Sequence, residues 1–479
     1  MKKTILLFIA VALSSSAAHS QEMKDAMRYA QSELQGTARF TAMSGAFGAL
    51  GGDLSSLNVN PAGSAVFNNN QFTATMGNYL VKNNSNYFGT STSASESNFD
   101  LNQAGGVFVF KTRDPNSALT KFTMAINYEN TNNYDNSVFS AGINPTQSID
   151  DYFLSYANDG VPLALLENNN YASLDHGPQQ AYLGYWGFVI NPVSEDNNNT
   201  LYTSNVRSGG NYYQENSTYS SGYNGKLIFN SAFEIKDFLY IGLNLNSHFT
   251  DYIQDSNFYE SNNNPTDINY QVKSLNFSNS LHTYGSGFSF QIGSIAKLNN
   301  QIRVGLAYES PTWYNLQDEF SQRLSSVRSN SANTMPPDVV DPFVINYYAP
   351  YDLRTPGSLT ASFAYVFGKT GLLSIDYKYK DYSCTEYGPE NDPYFRDINN
   401  IMQNALGVSN QVRVGAEYRI QNFKLRGGYR FEGSPYNNSK TIGDLNSFSG
   451  GIGYSFGFIK LDFAYMHAHS TSQQPFFSQ

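Results

Sequence analysis

Apolar and polar residues alternate along the last third of the chain. Every second residue from 412 to 420 is apolar, and Arg413 and Glu417 are among the polar residues between them. After the pair Gln421-Asn422 the alternation resumes over residues 423–432. A period of two is that of a β-strand, and two such runs joined by two residues predict a hairpin. Strands of about ten residues with one apolar face are typical of outer-membrane β-barrels.

The same alternation predicts an all-β chain that folds as a transmembrane antiparallel β-barrel of about fourteen strands. Thirteen runs are counted, at residues 70–82, 101–112, 119–129, 222–235, 238–256, 276–298, 301–320, 357–368, 371–384, 411–420, 423–434, 446–457 and 459–469. Bacterial single-chain barrels close with an even number of strands. We therefore expect either that one strand is missing from this count or that the sequence stops before the last strand.

The predicted strands are joined by connections of unequal length at their two ends. One end has turns of a few residues, and the other has long connections at residues 130–221, 257–275, 321–356, 385–410 and 435–445. Short periplasmic turns and long outer loops are the usual arrangement. The longest loop, around 130–221, contains apolar patterns at 149–158 and 162–166 that predict short helices. We expect it to cover the extracellular mouth.

The first 68 residues do not alternate. Two lysines, nine apolar residues at 5–13 and small residues at positions 18 and 20 predict a secretory signal peptide, residues 1–20, cleaved before Gln21. Residues 21–34 carry one apolar stripe and predict a short helix. Residues 36–67 are rich in Gly, Ala and Ser but carry many apolar side chains, which favours a compact plug over a linker. The expected domains are therefore the signal, a plug at 21–68 and a barrel at 69–479.

Composition narrows the class of protein. Charged residues are only 14% of the chain, aromatic residues are 15%, and there is one Cys; soluble domains usually have about 25% charged residues. The mean hydropathy of −0.42 excludes a helical membrane protein, and one Cys excludes a disulfide scaffold or a zinc ribbon. Loss of two lysines with the signal changes the formal net charge from −10 to −12. That charge disfavours a nucleic-acid partner.

Three stretches resemble a known family. Residues 44–63 (SGAFGALGGDLSSLNVNPAG) contain Ser44-Gly45, then Asp53, then Asn60-Pro61-Ala62-Gly63. The strand 425–428 (LRGG) is followed by Ser434-Pro435, and residues 448–470 end near Tyr465-Met466-His467. Together they resemble the FadL/TodX family of outer-membrane transporters for hydrophobic compounds, whose N-terminal hatch carries a similar motif.

The resemblance implies a function and its partners. It implies a monomeric, fourteen-stranded barrel in the cell outer membrane that passes hydrophobic small molecules, such as long-chain fatty acids, down a gradient. The hatch would act as the gate, and the exit would lie in the periplasm or sideways through the wall. The partners would be the hydrophobic ligand, outer-membrane lipid and the barrel-assembly machinery. Some relatives are labelled haemin receptors, so uptake of haemin stays an alternative.

Charged side chains on the polar faces of the C-terminal strands are the candidate ligand contacts. Lys424, Arg426 and Arg430 alternate along one strand, and Arg413 lies on its neighbour. The first interpretation is a set of salt bridges that holds the wall and the hatch. The second is that Arg413 or Arg426 binds a ligand carboxylate, because charged hydrogen bonds in a dry pocket are strong.

Two histidines are weaker candidates. His467 and His469 lie two residues apart, hence on one strand face, where they could bind a metal ion or haem iron. Their simpler interpretation is as residues of an interfacial girdle. No cofactor is predicted, because the glycines of the plug are not followed by the Lys-Ser/Thr of a phosphate loop.

Other classes of function remain to be weighed. No G-x-S-x-G stretch appears, so we expect no enzyme. A structural or adhesive barrel that displays its loops, or a general porin, are the alternatives to a transporter. An open porin should lack an apolar-studded plug, so residues 21–67 favour transport. Fatty acid, aromatic hydrocarbon and haem would all suit the apolar lumen that we expect.

Overall fold

The computed structural model describes residues 21–114, 116–265, 268–474 and 476. The predicted signal peptide, residues 1–20, lies outside the described residues. The strands are β1 (Gln71–Tyr87), β2 (Thr90–Lys111), β3 (Leu119–Asn133), β4 (Asn136–Asn144), β5 (Ile190–Pro192), β6 (Tyr202–Ser204), β7 (Tyr212–Ile235), β8 (Leu239–Ser261), β9 (Gln271–Lys297), β10 (Ile302–Glu309), β11 (Thr312–Ser329), β12 (Asp338–Val340), β13 (Asn346–Tyr347), β14 (Tyr351–Thr355), β15 (Ser358–Phe367), β16 (Gly371–Asp381), β17 (Glu386–Gly388), β18 (Val408–Ile420), β19 (Phe423–Glu432), β20 (Leu445–Ser455) and β21 (Lys460–His469). The helices are α1 (Met23–Ala30), α2 (Ala38–Ala42), α3 (Asp150–Ala157), α4 (Leu163–Asn168), α5 (His176–Trp186) and α6 (Pro393–Ala405), with short 3₁₀ helices at Leu54–Asn58, Pro61–Val66, Tyr171–Ser173 and Tyr382–Cys384.

All the strands except β5 and β6 belong to one antiparallel sheet. Its wall runs in the order β1, β2, β3 with β4, β7, β8, β9, β10 with β11, β14 with β15, β16, β18, β19, β20 and β21. The described residues therefore cross the wall thirteen times, and the expected number of about fourteen is not confirmed. Within these residues β1 has a ladder only with β2, and β21 only with β20.

The wall is apolar outside and polar inside. On β8 the outward side chains Ile241, Leu243 and Leu245 are 42%, 42% and 46% exposed, whereas the inward Asn244 and Asn246 are fully buried. Apolar surface of this kind is costly in water and suits contact with lipid. None of the helices in the described part of the chain is both long and apolar enough to cross a membrane.

Several strands differ in length from the alternation pattern. The first hairpin begins with Gln71 paired to Val107 and ends with Tyr87 paired to Thr90 at its turn. The half of the hairpin nearest this turn is polar, a composition that suggests a loop. The predicted strand 301–320 is divided, because Pro311 cannot donate a backbone hydrogen bond to the ladder. The hydroxyl of Ser310 there accepts a hydrogen bond from the backbone N–H of Phe290.

Residues 145–211 form a small domain, hereafter the cap, at the end of the sheet that carries the long connections. Helix α3 lies within the predicted segment 149–158, and α4 overlaps the predicted segment 162–166 and continues two residues beyond it. The cap has its own apolar core, which includes Phe153, Leu166 and Leu183, and this core continues onto Phe277 of β9 and Leu324 of β11. The cap is therefore fixed to the wall by buried apolar contacts.

The inner face of the sheet surrounds the N-terminal segment, residues 21–68. Near one edge of the sheet Ser64 contacts Thr123 of β3, and near the other edge Ser44 contacts Ser449 of β20. Between these contacts residues 36–67, hereafter the lower part of the segment, contact side chains of β7, β8, β9, β16 and β18. This arrangement makes the inner face of the wall the place to look for a functional site.

Candidate functional site

The lower part of the N-terminal segment is held in shape by short polar side chains. The Thr37 hydroxyl accepts a hydrogen bond from the Phe40 N–H at 3.1 Å and begins α2. The same hydroxyl donates to Asp53 Oδ1 at 2.7 Å, and Asp53 Oδ1 accepts from the Ser55 N–H at 3.0 Å. Burial raises the pKa of the Asp53 carboxyl, although nearby Arg39 opposes that shift. Asp53 thus joins two turns of a segment that has little regular structure.

Asn60 is the main link between this segment and its surroundings. Its Oδ1 accepts from the Ala62 N–H at 3.1 Å and begins the 3₁₀ helix Pro61–Val66, in which Pro61 is the first residue. Its Nδ2 donates to the Gly48 carbonyl at 2.8 Å and to the Ser294 carbonyl of β9 at 2.9 Å. Asn60 therefore caps a turn and fastens it to the wall with one side chain.

A tight reversal and a close contact explain two of the glycines of this region. Ser44 and Gly45 have φ values of 51° and 73°, the left-handed region that glycine adopts without strain. Gly63 is required for a different reason, because a Cβ there would lie 2.4 Å from Ser56 Oγ. Ala62 and Gly63 are also fully enclosed by the surrounding wall and segment.

Polar side chains of the wall bind the segment mainly through its backbone. The carbonyls of Leu57, Asn58 and Pro61 accept hydrogen bonds from wall side chains on β7, β8 and β9, at 2.8–3.0 Å. Across the lumen Asp376 of β16 accepts from the Gly48 N–H at 3.0 Å. The wall approaches closely here, since a Cβ on Gly242 would lie 2.4 Å from Pro61.

Arg426 belongs to an ion-pair cluster near the short-turn end of the wall. Glu417 of β18 accepts from Arg426 Nε at 2.8 Å, from Arg419 Nε at 2.8 Å and from Arg39 Nε of the segment at 3.0 Å. Arg426 Nη1 also contacts Asp462 of β21 at 2.6 Å. Arg426 is therefore paired with protein carboxylates on two neighbouring strands.

The other three candidate cations lie in different surroundings. Arg430 forms a salt bridge with Glu432 on its own strand. Lys424 is the second residue of β19, next to the turn that precedes this strand. Arg413 Nη1 makes a long contact of 3.5 Å with the Gly45 carbonyl, and its Nε is buried with no hydrogen-bond partner among the described residues. Arg426 and Arg430 also have one unpartnered nitrogen each, but of the three arginines Arg413 is the one without a salt bridge among the described residues.

A small cavity lies beside Arg413. It is bounded by Asn58 and Val59 of the segment and by Glu309, Lys378 and Arg413 of the wall. Its volume of about 20 Å³ holds about one water molecule. Any larger molecule at Arg413 would require residues 36–67 to move.

The lumen is lined at this level by polar as well as apolar side chains, whereas an apolar lumen was expected. Several inward amides bind the backbone of the N-terminal segment, and inward Val107, Ile295 and Ala364 pack against its apolar side chains. The buried polar residues of the wall include Asn127, Asn230, Asn244, Asn246, Gln291, Asp376 and Glu417. Sequence alternation placed such residues inward, but it could not show what they bind.

An aromatic chamber lies above this level and was missed by sequence reasoning. Helix α1 fills it, with Tyr29 centred 5.9 Å from Tyr314 and the Arg28 guanidinium 3.8 Å above the ring of Tyr252. The rest of its aromatic lining is Tyr134, Tyr351, Tyr387 and Phe395. The chamber combines residues from distant loops and strands, so only the high Tyr content signalled it.

The two candidate histidines lie apart from both levels. His467 and His469 occupy β21 opposite Phe448 and Asn446 of β20, and their strand face points outward. Among the described residues, no group of three or more His, Cys, Asp or Glu side chains is arranged to hold a metal ion.

Comparison with known proteins agrees with this architecture. The profile of a family described as outer membrane protein transport protein (OMPP1/FadL/TodX) matches residues 213–475. The chain belongs to this FadL/TodX family. It is therefore an outer-membrane transport protein of a family for hydrophobic compounds.

One solved structure shows the same fold at low identity. A Pseudomonas aeruginosa FadL homologue is 12% identical, with 92% of this chain and 91% of that chain covered and a TM-score of 0.53. The Pseudomonas putida toluene transporter TodX is 13% identical, with 91% and 93% covered and a TM-score of 0.47. Among curated proteins, none matches the chain.

Proposed function

We propose that this protein lets hydrophobic small molecules cross the outer membrane down their gradient, gated by its N-terminal segment. The observation that carries the proposal is that this segment fills the lumen at two levels. Helix α1 occupies the aromatic chamber, and residues 36–67 leave only about 20 Å³ beside Arg413. Passage of a ligand therefore needs the segment to shift, which is what a gate does.

The polar contacts suit such a movement. Wall amides bind backbone groups of residues 36–67, and each of these hydrogen bonds can be exchanged for one to water. The net cost of such an exchange is about 0.5–1.5 kcal/mol per bond. Three small apolar clusters between the segment and the wall add to this cost. The segment serves as the hatch, and the Ser44-Gly45 turn and Asn60 are two of its wall contacts.

The substrate class that we favour is an apolar chain with one carboxylate, as in a long-chain fatty acid. Aromatic side chains around α1 suit the chain, and Arg413 suits the carboxylate. Arg426 and Arg430 are already paired with protein carboxylates, and Lys424 lies near the short-turn end. This assignment refines the sequence hypothesis to Arg413.

A pair of engineered disulfides tests the gate. Ser44 Oγ and Ser449 Oγ are 2.8 Å apart, so Ser44→Cys with Ser449→Cys should lock the turn of the segment to β20. The exposed Cys384 is first replaced by Ser. Uptake of radiolabelled oleate by cells should fall severalfold when the pair is oxidised and recover after reduction.

A second pair is the matched control. Ser64 and Thr123 are also in contact, at 2.9 Å, but Ser64 lies where the segment joins β1 and is expected to stay fixed. Oxidised Ser64→Cys with Thr123→Cys should transport normally. Equal uptake by both locked variants and the reduced proteins would refute gating by this segment.

Arg413→Gln tests the substrate class. It should weaken uptake of oleate but leave uptake of a hydrocarbon of similar length unchanged, since only the acid needs the guanidinium. Lys424→Gln is the control, with neither uptake affected. Loss of both uptakes in Arg413→Gln would assign Arg413 a structural role instead.

The alternatives gain less support. Haemin binding through His467 and His469 would place the haem on the outer face of β21, away from the lumen. An unchanged haemin absorption spectrum on mixing with the purified protein would remove that alternative. A general porin would need a continuous aqueous path, and ion conductance of the unmodified protein in planar bilayers would favour it. Insertion by the barrel-assembly machinery and a monomeric state complete the proposal.

A further inference from the structure

A cleft of about 650 Å³, lined by both polar and apolar groups, opens on the outer face of the wall, on the side opposite the lumen. Outward side chains of β7, β8, β9 and β11 line it, together with the loop 341–345. The strand register places Ser217, Asn257, Ser278 and Arg323 side by side in one row across the four strands. Clefts of about 300–1,000 Å³ are the usual size for small-molecule sites.

The position of the cleft is set by the change in side chains along β8. Its outward residues are apolar from Ile241 to Leu245 but polar at Asp251, Asp255 and Asn257. The first stretch suits acyl chains, and the second lies beyond them at the end with the long connections, which faces outward in such proteins. The cleft therefore opens sideways at the level of the lipid headgroups.

The loop over the cleft presents an aromatic side chain to solvent. Val340 and Val344 pack against the core of the cap, and Asp341 Oδ2 is 3.2 Å from Arg323 Nε. Phe343 between them is 91% exposed and has a φ of 51°, a conformation that bulky residues rarely adopt. The loop is anchored at both ends, yet it holds a Phe ring exposed over the cleft. Strained backbone and an exposed apolar side chain are both typical of a surface that binds another molecule.

The chemistry of the cleft matches a sugar. Ser and Asn side chains offer hydrogen bonds to hydroxyl groups, and the rings of Tyr219, 45% exposed, and Phe343 offer faces for the C–H side of a pyranose. Asp255 and Asp341 outnumber Arg323, which is paired with Asp341, so the cleft disfavours phosphates. We propose that it binds the uncharged oligosaccharide part of a glycolipid in the outer leaflet of the same membrane.

The test uses the full-length protein in detergent and in nanodiscs. The probe is the phosphate-free oligosaccharide released from the outer-membrane glycolipid of the host bacterium, followed by saturation-transfer NMR and titration. Wild-type protein should bind it, and Phe343→Ala or Tyr219→Ala should each weaken binding about tenfold or more. Phe456→Ala is the control, because that side chain is 62% exposed in the turn between β20 and β21.

Three further results decide the proposal. Nanodiscs that contain the intact glycolipid should protect residues 341–345 from hydrogen exchange, and glycolipid-free nanodiscs should not. If the free sugar binds but the intact glycolipid gives no such protection, the proposal that the sugar belongs to a glycolipid of the same membrane would be wrong. Equal binding by Phe343→Ala and wild type, or tighter binding of a phosphorylated fragment, would overturn the site. Oleate uptake should be unchanged in Phe343→Ala, so failure of the transport proposal leaves this test intact.

Discussion

The cap and the lower part of the N-terminal segment cover the lumen in different ways. The cap holds itself to the wall through buried apolar side chains, among them Phe153, Leu166 and Phe277. Residues 36–67 are attached by hydrogen bonds from wall side chains to their backbone and by three smaller apolar clusters. Apolar contacts are lost outright when surfaces part, whereas hydrogen bonds are replaced by bonds to water. The larger share of hydrogen bonds in the segment supports the proposal that it moves while the cap stays fixed.

The largest expected effect comes from the core of the cap. Leu166→Ala removes a fully buried side chain and should lower the stability of the cap by about 2–5 kcal/mol. Leu201→Ala, at a 61% exposed position of the same domain, should change it by less than about 0.5 kcal/mol. Hydrogen exchange of residues 150–186 measures both. Equal effects would mean that the cap is not held by its core.

A smaller effect is expected where the wall touches the segment. Gly242→Ala would place a methyl group 2.4 Å from Pro61 and should destabilise the seating of the segment by about 1–3 kcal/mol. We expect faster exchange at residues 57–66 and more frequent conductance events in bilayers. In Gly427→Ala the nearest atom is 3.9 Å away, so no change is expected. If Gly242→Ala changed neither the exchange of residues 57–66 nor the conductance, the segment would already be able to move away from the wall at this contact.

Asn60→Ala tests the hydrogen bonds themselves. It removes the donor to the Gly48 and Ser294 carbonyls and the acceptor of the Ala62 N–H, which should loosen residues 57–66 by about 1–3 kcal/mol. Asn58→Ala is the matched control, because the side-chain oxygen of Asn58 has no hydrogen-bond partner among the described residues. Similar exchange rates in the two variants would argue against the polar attachment of the segment.

The smallest effect is a dependence of the cap on pH. Burial lowers the pKa of His176, although Glu22 opposes the shift. Below the unfolded-state value of about 6.5 the unfolded cap binds a proton that the folded cap rejects, so acid should weaken it. Exchange protection of residues 150–186, taken relative to the intrinsic rate at each pH, should fall between pH 7.5 and 5.5 in wild type and less in His176→Phe. The same fall in both would exclude His176 as the cause.

The C-terminal wall was the most predictable part of the fold. The alternation over 412–432 predicted β18, β19 and the turn between them, and the structure has Gln421 in that turn with a φ of 54°. Alternation is a local property that each strand carries by itself. The polar stretch of β1 and β2 near Tyr87 and Thr90 was not predicted, because alternation without apolar residues resembles a loop.

The candidate site was predictable only in part. The motif from Ser44 to Gly63 predicted a compact segment, and the inward direction of Arg413 and Arg426 followed from the period of two. Nothing local distinguishes these two arginines, yet Arg426 is paired with Glu417 and Asp462 and Arg413 is not. Their difference depends on which partners the folded wall brings to each guanidinium.

The sequence by itself determined the all-β class, the apolar outer face and the presence of a small-residue N-terminal segment. These follow from periodicity and composition, which act within each strand or turn. Only the tertiary structure decided that α1 lies beside Tyr252 and Tyr314, and that Glu417 meets Arg39 from far along the chain. Such contacts join residues that lie hundreds of positions apart, so they exist only once the strand register has set every inward side chain against the segment that it surrounds.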